Sequence, residues 1–494
     1  MDRAQFAGEF KLEKCELISS AGVSADISAN IAEINIFESI FSNSITGSII
    51  LTDTNNLVDN MPIIGQEYIS LKISTPGLDD PESKYDFTKN VFCVYELGGK
   101  TPATANSEVV ELKICSPELL RNHRTRVSKA YEETVGKIIT SILENSKYIN
   151  TKKELFIEQT SGIRKILAPN IHPYTLIKNL SREAISEADG SPHFVFFENM
   201  RGFHFRSIQS LYAQGSMGEY HYGDKGSDEK YVDGNSDSGK LIQSYKRIIN
   251  LSTPSKNNSL FDIKGGMLGS SLIMHDIYNK KYKKSTFDYF NDFNKYGRLE
   301  SSPKYNDILI DDENNVGNFT NSRIFLHPTS VTEDDKDSQY MVVPPTVEEL
   351  VEQGVDRGLA VAAVQQQEEE IKKGNKDYMS NRADKWLLHR RQRMHELNSG
   401  MTINMQIHGN TTIEAGQVIR VNIPIFGTDH NDEKISKYQS GFYLISKLRH
   451  RFNPPTKTHT ISLQATKDSI PKDFESKASG KEPKPSGKAT VTPV

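Results

Sequence analysis

Between Phe10 and Ser116 apolar and polar residues alternate in short runs broken by Gly, Pro, Asn and Asp, the pattern of successive half-buried strands. Ile31, Ile34, Ile36 and Ile40 carry the early part of it, and Gly47 to Asp53 (GSIILTD) and Ile63 to Ile73 (IIGQEYISLKI) follow, the latter preceded by Pro62. Val91 to Leu97 (VFCVYEL) and Val109 to Ser116 (VVELKICS) complete the series. Far downstream, Ala415 to Ile423 (AGQVIRVNI), Gly441 to Leu448 (GFYLISKL) and Thr458 to Ser469 (THTISLQATKDS) repeat the last three strands in the same order. Each series starts from a Gly-Gln pair, with one extra residue after the first pair. A recurring three-strand pattern of this kind predicts a small antiparallel β unit at both ends of the chain.

The period changes at Ser116-Pro117-Glu118, where Ser before Pro marks a helix start. Val135, Ile138, Ile139, Ile142 and Leu143 then fall on one helical face after Thr134, and Leu176, Ile177, Leu180 and Ala184 on another after His172-Pro173. A hairpin is expected at His193 to Glu198 and Phe203 to Ser207, its first strand central or covered because it is apolar on both faces. Leu241 to Leu251 reads as a strand re-entering a β unit, the run from Lys264 to Tyr278 as a helix or turn feeding another strand, and Asn279 to Lys284 (NKKYKK) as a solvated loop. Ser322 to His327 reads as an isolated strand. Thr346 with Glu349 forms a capping-box pair for a helix to about Lys373, weakened by Gly354 and Gly358. A second helix over Ala383 to Leu397 gathers Trp386, Leu387, Arg390, Met394 and Leu397.

The fold expected is α+β and mainly β: two similar antiparallel β-barrel domains, a small α/β domain, and a helical or irregular insertion. The boundaries are 1–116 for the first barrel, 117–235 for the α/β domain, 236–285 with 399–470 for a discontinuous second barrel, and 286–398 for the insertion. Residues 471–494 are rich in Lys, Pro, Ser and Gly and form an extended or flexible tail.

Length and charge narrow the function classes. With 494 residues the chain holds several domains, and 60 Lys+Arg against 64 Asp+Glu give a net charge of -4. That balance lacks the broad positive field of a nucleic-acid clamp or a membrane-surface protein. No apolar run reaches the ~20 residues of a membrane span, and no apolar leader opens the chain, so synthesis and assembly are expected in the cytoplasm. Cys15, Cys93 and Cys115 are odd in number and lack CxxC spacing, so neither a disulfide framework nor a zinc site is indicated and they read as buried thiols in a reducing compartment.

No catalytic or metal signature emerges, and no cofactor is expected. Gly98-Gly99-Lys100-Thr101 lacks the first glycine and the following helix of a phosphate loop. Asp311 to Gly317 fails the calcium-loop spacing at Val316 and Arg323. His389 and His395 lie six apart on a helix, thus on different faces, while His193 and His204 flank the hairpin and could approach across strands. The lysines and Tyr282 of NKKYKK could touch nucleic acid, a weaker reading than the loop.

In order along the chain, INIFESIFSNSITGSIILTD (34–53), IIGQEYISLKI (63–73), RVSKAYEETVGKII (126–139), HFVFFENMRGFHFRS (193–207), GSSLIMHDIYNKKYKKSTFDY (269–289) and SGFYLISKLRHRF (440–452) resemble the central baseplate hub protein of contractile-tailed bacteriophages. The resemblance implies a structural, non-enzymatic virion protein with two tube-like barrels per chain. It further implies a homotrimer whose six barrels close a pseudo-sixfold ring, adapting a sixfold tail tube to a threefold central spike. Implied partners are the spike, a tail tube or tube-initiator protein, neighbouring wedge proteins, and DNA in transit through the lumen, with no membrane insertion. The location implied is the tail baseplate, after assembly in host cytoplasm. A tail-associated peptidoglycan hydrolase and a spike-complex component of a contractile secretion machine are the alternatives.

Overall fold

The computed structural model describes residues 4–471 except 21, 55–59, 62, 77–83, 105–106, 224–236, 255–257, 277–280, 306–318, 330–346, 353, 373–382, 426–434 and 437. Pro62, the acidic run 311–317, Thr346 of the expected capping box and all of the tail after Pro471 therefore lie outside the described residues.

The N-terminal β unit comprises β1 (Lys11–Ile18), β2 (Ser24–Asp26), β3 (Ile31–Ser39), β4 (Thr46–Asp53), β5 (Tyr68–Ser74), β6 (Lys84–Leu97), β7 (Thr101–Thr104) and β8 (Ser107–Cys115). The central α/β region follows with α1 (Pro117–Arg124), β9 (Ala130–Thr134), α2 (Val135–Glu144), β10 (Glu154–Ile157), β11 (Ile163–Leu167) and α3 (Pro173–Glu183). It ends with β12 (Phe194–Glu198), β13 (Gly202–Ser207) and α4 (Ile208–Tyr212). Next come β14 (Ser216–His221), α5 (Asp237–Lys246), β15 (Ile248–Ser252), α6 (Ser259–Gly265), β16 (Gly269–Asp276), β17 (Lys281–Asp288), β18 (Ser302–Pro303) and β19 (Ile324–Thr329). Helices α7 (Val347–Glu352), α8 (Arg357–Lys372) and α9 (Ala383–Ser399) precede β20 (Met401–His408), β21 (Val418–Asn422), β22 (Gly441–Asn453), β23 (Thr458–Lys467) and β24 (Ser469–Ile470).

The molecule is mainly β, as the alternation requires, but the two β units are not separate bodies. Their strands form one sheet running β15-β20-β23-β22-β3-β4-β8-β6-β5-β1-β2, with β14 on β21 and β7 on β8. No closed barrel occurs among the described residues. The join is β22, whose thirteen residues are long enough to serve both units. Its first half, with Tyr443, Leu444 and Leu448, packs in the C-terminal core, whereas Phe452 at its far end packs in the N-terminal core. Between these, Lys447 to Phe452 pairs antiparallel with Ser39 to Ile34 of β3.

The echo in sequence is an echo in topology. The N-terminal unit orders its strands β3-β4-β8-β6-β5-β1, and the C-terminal unit β15-β20-β23-β22-β21-β14. One pairing differs: β1 runs antiparallel to β5, whereas β14 runs parallel to β21. The long segment between β15 and β20 occupies the place of the short β3–β4 connection.

Several expectations are corrected. From Asp237 to Lys246 the chain is helical, so the strand expected over Leu241 to Leu251 starts only at Ile248. Of the strands expected in 236–285 for the second unit, only β15 pairs with it; β16 and β17 join β19 in a separate sheet against α9, around Leu272, Met274, Phe287 and Leu387. The lysine-rich Lys281 to Lys284 is therefore strand rather than loop, because it ladders against Asp276 to Ile273. The helix expected to about Lys373 is two helices: Gly354 adopts φ +88°, which an α-helix cannot continue through. In the α/β region the expectation of a central or covered strand holds for β12, which is covered on both faces while lying at the edge of the order β10-β13-β12.

Candidate assembly junction

The site that binds the parts together is built around the hairpin turn Asn199 to Gly202. Turn residues in most hairpins are solvated. Here the turn sits between the two β units, and each unit answers it with a buried carboxylate.

From the N-terminal unit comes Glu38 on β3, which occupies the inward phase set by Ile34 and Ile36 and is 2% exposed. Its Oε1 accepts the Met200 N–H at 3.2 Å and its Oε2 accepts the Ala415 N–H at 2.8 Å, so one side chain ties three parts of the chain. Burial, then the nearby Glu414 carboxylate, push Glu38 well above the usual carboxyl range, against the two N–H donors. His450 lies 3.8 Å from Glu38, but burial drops its pKa to about 3, so the contact is with a neutral ring. From the C-terminal unit comes Glu414, which accepts from Asn199 Nδ2 at 3.1 Å and Arg201 Nε at 3.0 Å.

A second cluster is built on a carboxylate of the hairpin itself, Glu198, which faces the N-terminal unit. It accepts the Ile45 N–H at 2.9 Å, the Ser116 hydroxyl at 2.8 Å and the Lys153 ammonium at 2.5 Å. Lys153 also pairs with Glu118 at 3.0 Å, and Thr151 donates to the same carboxylate. Burial raises Glu198 despite the pull of Lys153. For Lys153, burial acts to lower the pKa, and the two carboxylates outweigh it. A third cluster fastens the insertion to the end of the C-terminal unit. Arg298 and Arg393 each contact both Glu396 and Asp468, at 2.5 to 3.3 Å.

The Gly-Gln echo marks two equivalent turns. Gly65 and Gly416 adopt φ +88° and +89°, conformations that glycine reaches without Cβ strain. The residue just before each strand then folds back onto its turn. Glu67 accepts the N–H groups of Ile64, Gly65 and Gln66 at 2.8 to 3.1 Å, whereas Gln417 accepts from the Glu414 N–H and donates to the Thr412 carbonyl, both at 3.0 Å. Their carbonyls also match, Glu67 accepting from Val94 and Gln417 from Ile445. The counterpart of Gln417 is therefore Glu67 and not Gln66, which accounts for the extra residue. The two turns differ in surroundings: a Cβ at Gly416 would stand 2.8 Å from the Phe197 ring, while at Gly65 its nearest neighbour would be 3.5 Å away.

The residues singled out from sequence for chemistry are scattered. His193 and His204 do not approach: His204 lies opposite Phe197, stacked between it and Phe156, and His193 packs edge-on against Tyr296. His389 contacts Phe287 and Tyr296, and His395 bonds Asp262 at 2.8 Å. Gly98 to Lys100 form the connection between β6 and β7. All three cysteines are buried free thiols. Among the described residues no three His, Cys, Asp or Glu side chains are grouped to hold a metal ion, and no helix is long and apolar enough to cross a membrane.

The junction carboxylates were missed in sequence, yet a signal exists. Glu38 falls where the Ile34-Ile36-Ile40 phase calls for an apolar residue, and Lys467 does the same after Ile461, Leu463 and Ala465. A charged residue in the inward phase of a strand marks a buried partner. On the other side of the joined sheet, a groove of about 590 Å³ is lined by Asn250, Asn404, Gln406, Gln464, Lys447 and Arg449 among others.

No protein-family model matches the chain. A probable baseplate hub protein, gp334, of Vibrio phage KVP40 is 22% identical over 262 residues, covering 52% of this chain and 58% of the relative. The chain thus aligns with less than two thirds of that relative's length. Among solved structures, a tail protein from Neisseria meningitidis matches with TM-score 0.47 and 8% identity over 93% of this chain and 97% of the other. A 43 kDa tail protein of prophage MuSo2 from Shewanella oneidensis matches with TM-score 0.43 and 9% identity, over 93% and 100%. In sequence the chain is similar to a probable baseplate hub protein of a Vibrio phage, the kind of protein its strand motifs resemble.

Proposed function

We propose that this chain is the structural hub of a contractile-tail baseplate, without enzymatic activity, and that three copies close a ring. Each copy contributes two barrel-like walls, so that the ring presents six similar units to a sixfold tube and true threefold symmetry to a spike. The observation that carries this reading is the repeated strand order, β3-β4-β8-β6-β5-β1 and β15-β20-β23-β22-β21-β14, within one continuous sheet. Fusion of the units through β22 and β3 suits a ring wall that must not hinge between its halves. The relative's name, a probable baseplate hub protein, supports the same reading.

The test is the mass and symmetry of the assembled protein. The full chain, mixed with its spike protein, is expected to give a trimer by native mass spectrometry and six lobes by electron microscopy. Monomer alone under these conditions refutes the ring.

A further inference from the structure

Two of the three cysteines stand face to face. Cys93 on β6 and Cys115 on β8 are direct register partners in an antiparallel pair. Their neighbours Phe92, Val94 and Ile114 point into the N-terminal core, so both thiols point to the opposite face, under α1. The neighbouring hydrogen bonds fix the type of pair. The Val94 N–H donates toward β5, to Glu67, and the Ser116 N–H donates toward Ile45 beside β4. Cys93 and Cys115 therefore turn their own main-chain groups toward each other, as a hydrogen-bonded pair. In such a pair the Cα atoms are about 5.5 Å apart, inside the ~4.4–6.8 Å that a disulfide spans, while the Cβ atoms stand toward ~5.5 Å, wider than the ~3.5–4.5 Å of a relaxed bridge, so a bond formed here is strained and readily reduced. Cys15, the third thiol, lies on β1 against Leu71 in the core, on the other side of the sheet.

We propose that Cys93 and Cys115 are a redox dithiol, a site of reversible disulfide formation that staples β6 to β8 once the protein meets an oxidising environment. The oxidant is a small disulfide such as glutathione disulfide. The thiolate of one cysteine attacks a sulfur of the oxidant and expels one glutathione thiolate, leaving a mixed disulfide. The second cysteine's thiolate then attacks the protein sulfur and expels the other. Two protein thiols lose two electrons and two protons in all, and one disulfide becomes two thiols.

The staple sits beside the junction. Ser116, next to Cys115, bonds Glu198 and lies 3.2 Å from Lys153 Nζ. Burial pushes the Cys93 thiol up to about 11 and that of Cys115 up to about 12. Both are thus protonated and slow to react at neutral pH, and the oxidation rate should rise about tenfold per pH unit between pH 7 and 9. The inference is independent of the ring reading, since it concerns one chain.

The test is thiol counting on the folded full-length protein. After glutathione disulfide at pH 9, alkylation in denaturant is expected to label one cysteine instead of three, and digestion to yield an intramolecular Cys93–Cys115 cross-link. Dithiothreitol should restore three labels. Cys15→Ala is expected to retain the cross-link, whereas Cys93→Ala and Cys115→Ala lose it. Refolding in the same oxidant removes any block to access. Three labelled thiols after both treatments, or a cross-link through Cys15 or between chains, overturns the proposal.

Discussion

Replacing Lys153 with methionine removes one charge from the junction while keeping most of the volume. The Lys153 side chain is 6% exposed, and its partners Glu118 and Glu198 are 2% and 0% exposed. The substitution therefore strands two buried carboxylates with no cation between them. Breaking a buried pair from one side costs about 3–5 kcal/mol, because the remaining charge stays desolvated. Donors that survive, the Ile45 N–H and Ser116 hydroxyl on Glu198 and the Thr151 hydroxyl on Glu118, place the expected loss at roughly 3 kcal/mol, the lower end. The sign of the pH dependence follows from Glu198. Its pKa is already raised by burial with Lys153 present, so without Lys153 it rises further above that of the unfolded chain. Stability carried by a raised carboxyl is gained as pH falls through its folded pKa and levels off below the unfolded value near 4.5. The variant should therefore recover as pH drops from 7 to 5, by at most about 1.4 kcal/mol per pH unit for one proton. Urea unfolding of wild type and Lys153→Met at both pH values measures the loss, and hydrogen exchange over residues 116–124 and 194–207 localises it. An unfolding midpoint equal to wild type at pH 7, or a deficit unchanged at pH 5, would refute the reasoning.

Further expectations concern the paired turns and the insertion. Gly416→Ala meets both a left-handed backbone and the Phe197 ring and should cost roughly 2–5 kcal/mol, whereas Gly65→Ala meets the backbone term alone, about 1–2 kcal/mol; equal melting shifts would contradict the different surroundings. Glu67→Ala leaves three N–H groups without their acceptor and should lower stability by about 1–3 kcal/mol, with Glu67→Gln milder because one oxygen remains, as thermal unfolding can check. Asp468→Asn leaves Arg298 and Arg393 sharing Glu396 alone and should loosen the insertion from β24, seen as earlier proteolysis between 293 and 303 with the β units intact. Cleavage at the wild-type rate would show that the cluster does not anchor the segment.

The local elements were legible because each is dictated by a short-range rule. The spacing of Val135, Ile138, Ile139, Ile142 and Leu143 gave α2, Pro at the first turn started α1 and α3, and alternation gave the strands of both β units. The repeat itself was also legible, as was the family resemblance that its order carries. Three things were not. Alternation states which face of a strand is buried but not which strand it pairs with, so the fusion of the two units through β22 and β3 was invisible. The assignment of β16 and β17 to their own sheet failed for the same reason. The junction was hidden because a carboxylate such as Glu38 is satisfied by N–H groups 162 and 377 residues away, a coincidence that only the folded chain creates. Periodicity and turn chemistry thus determined the elements and their repetition, while long-range pairing and the matching of buried charges decided that two repeats, a hairpin and an insertion form one body.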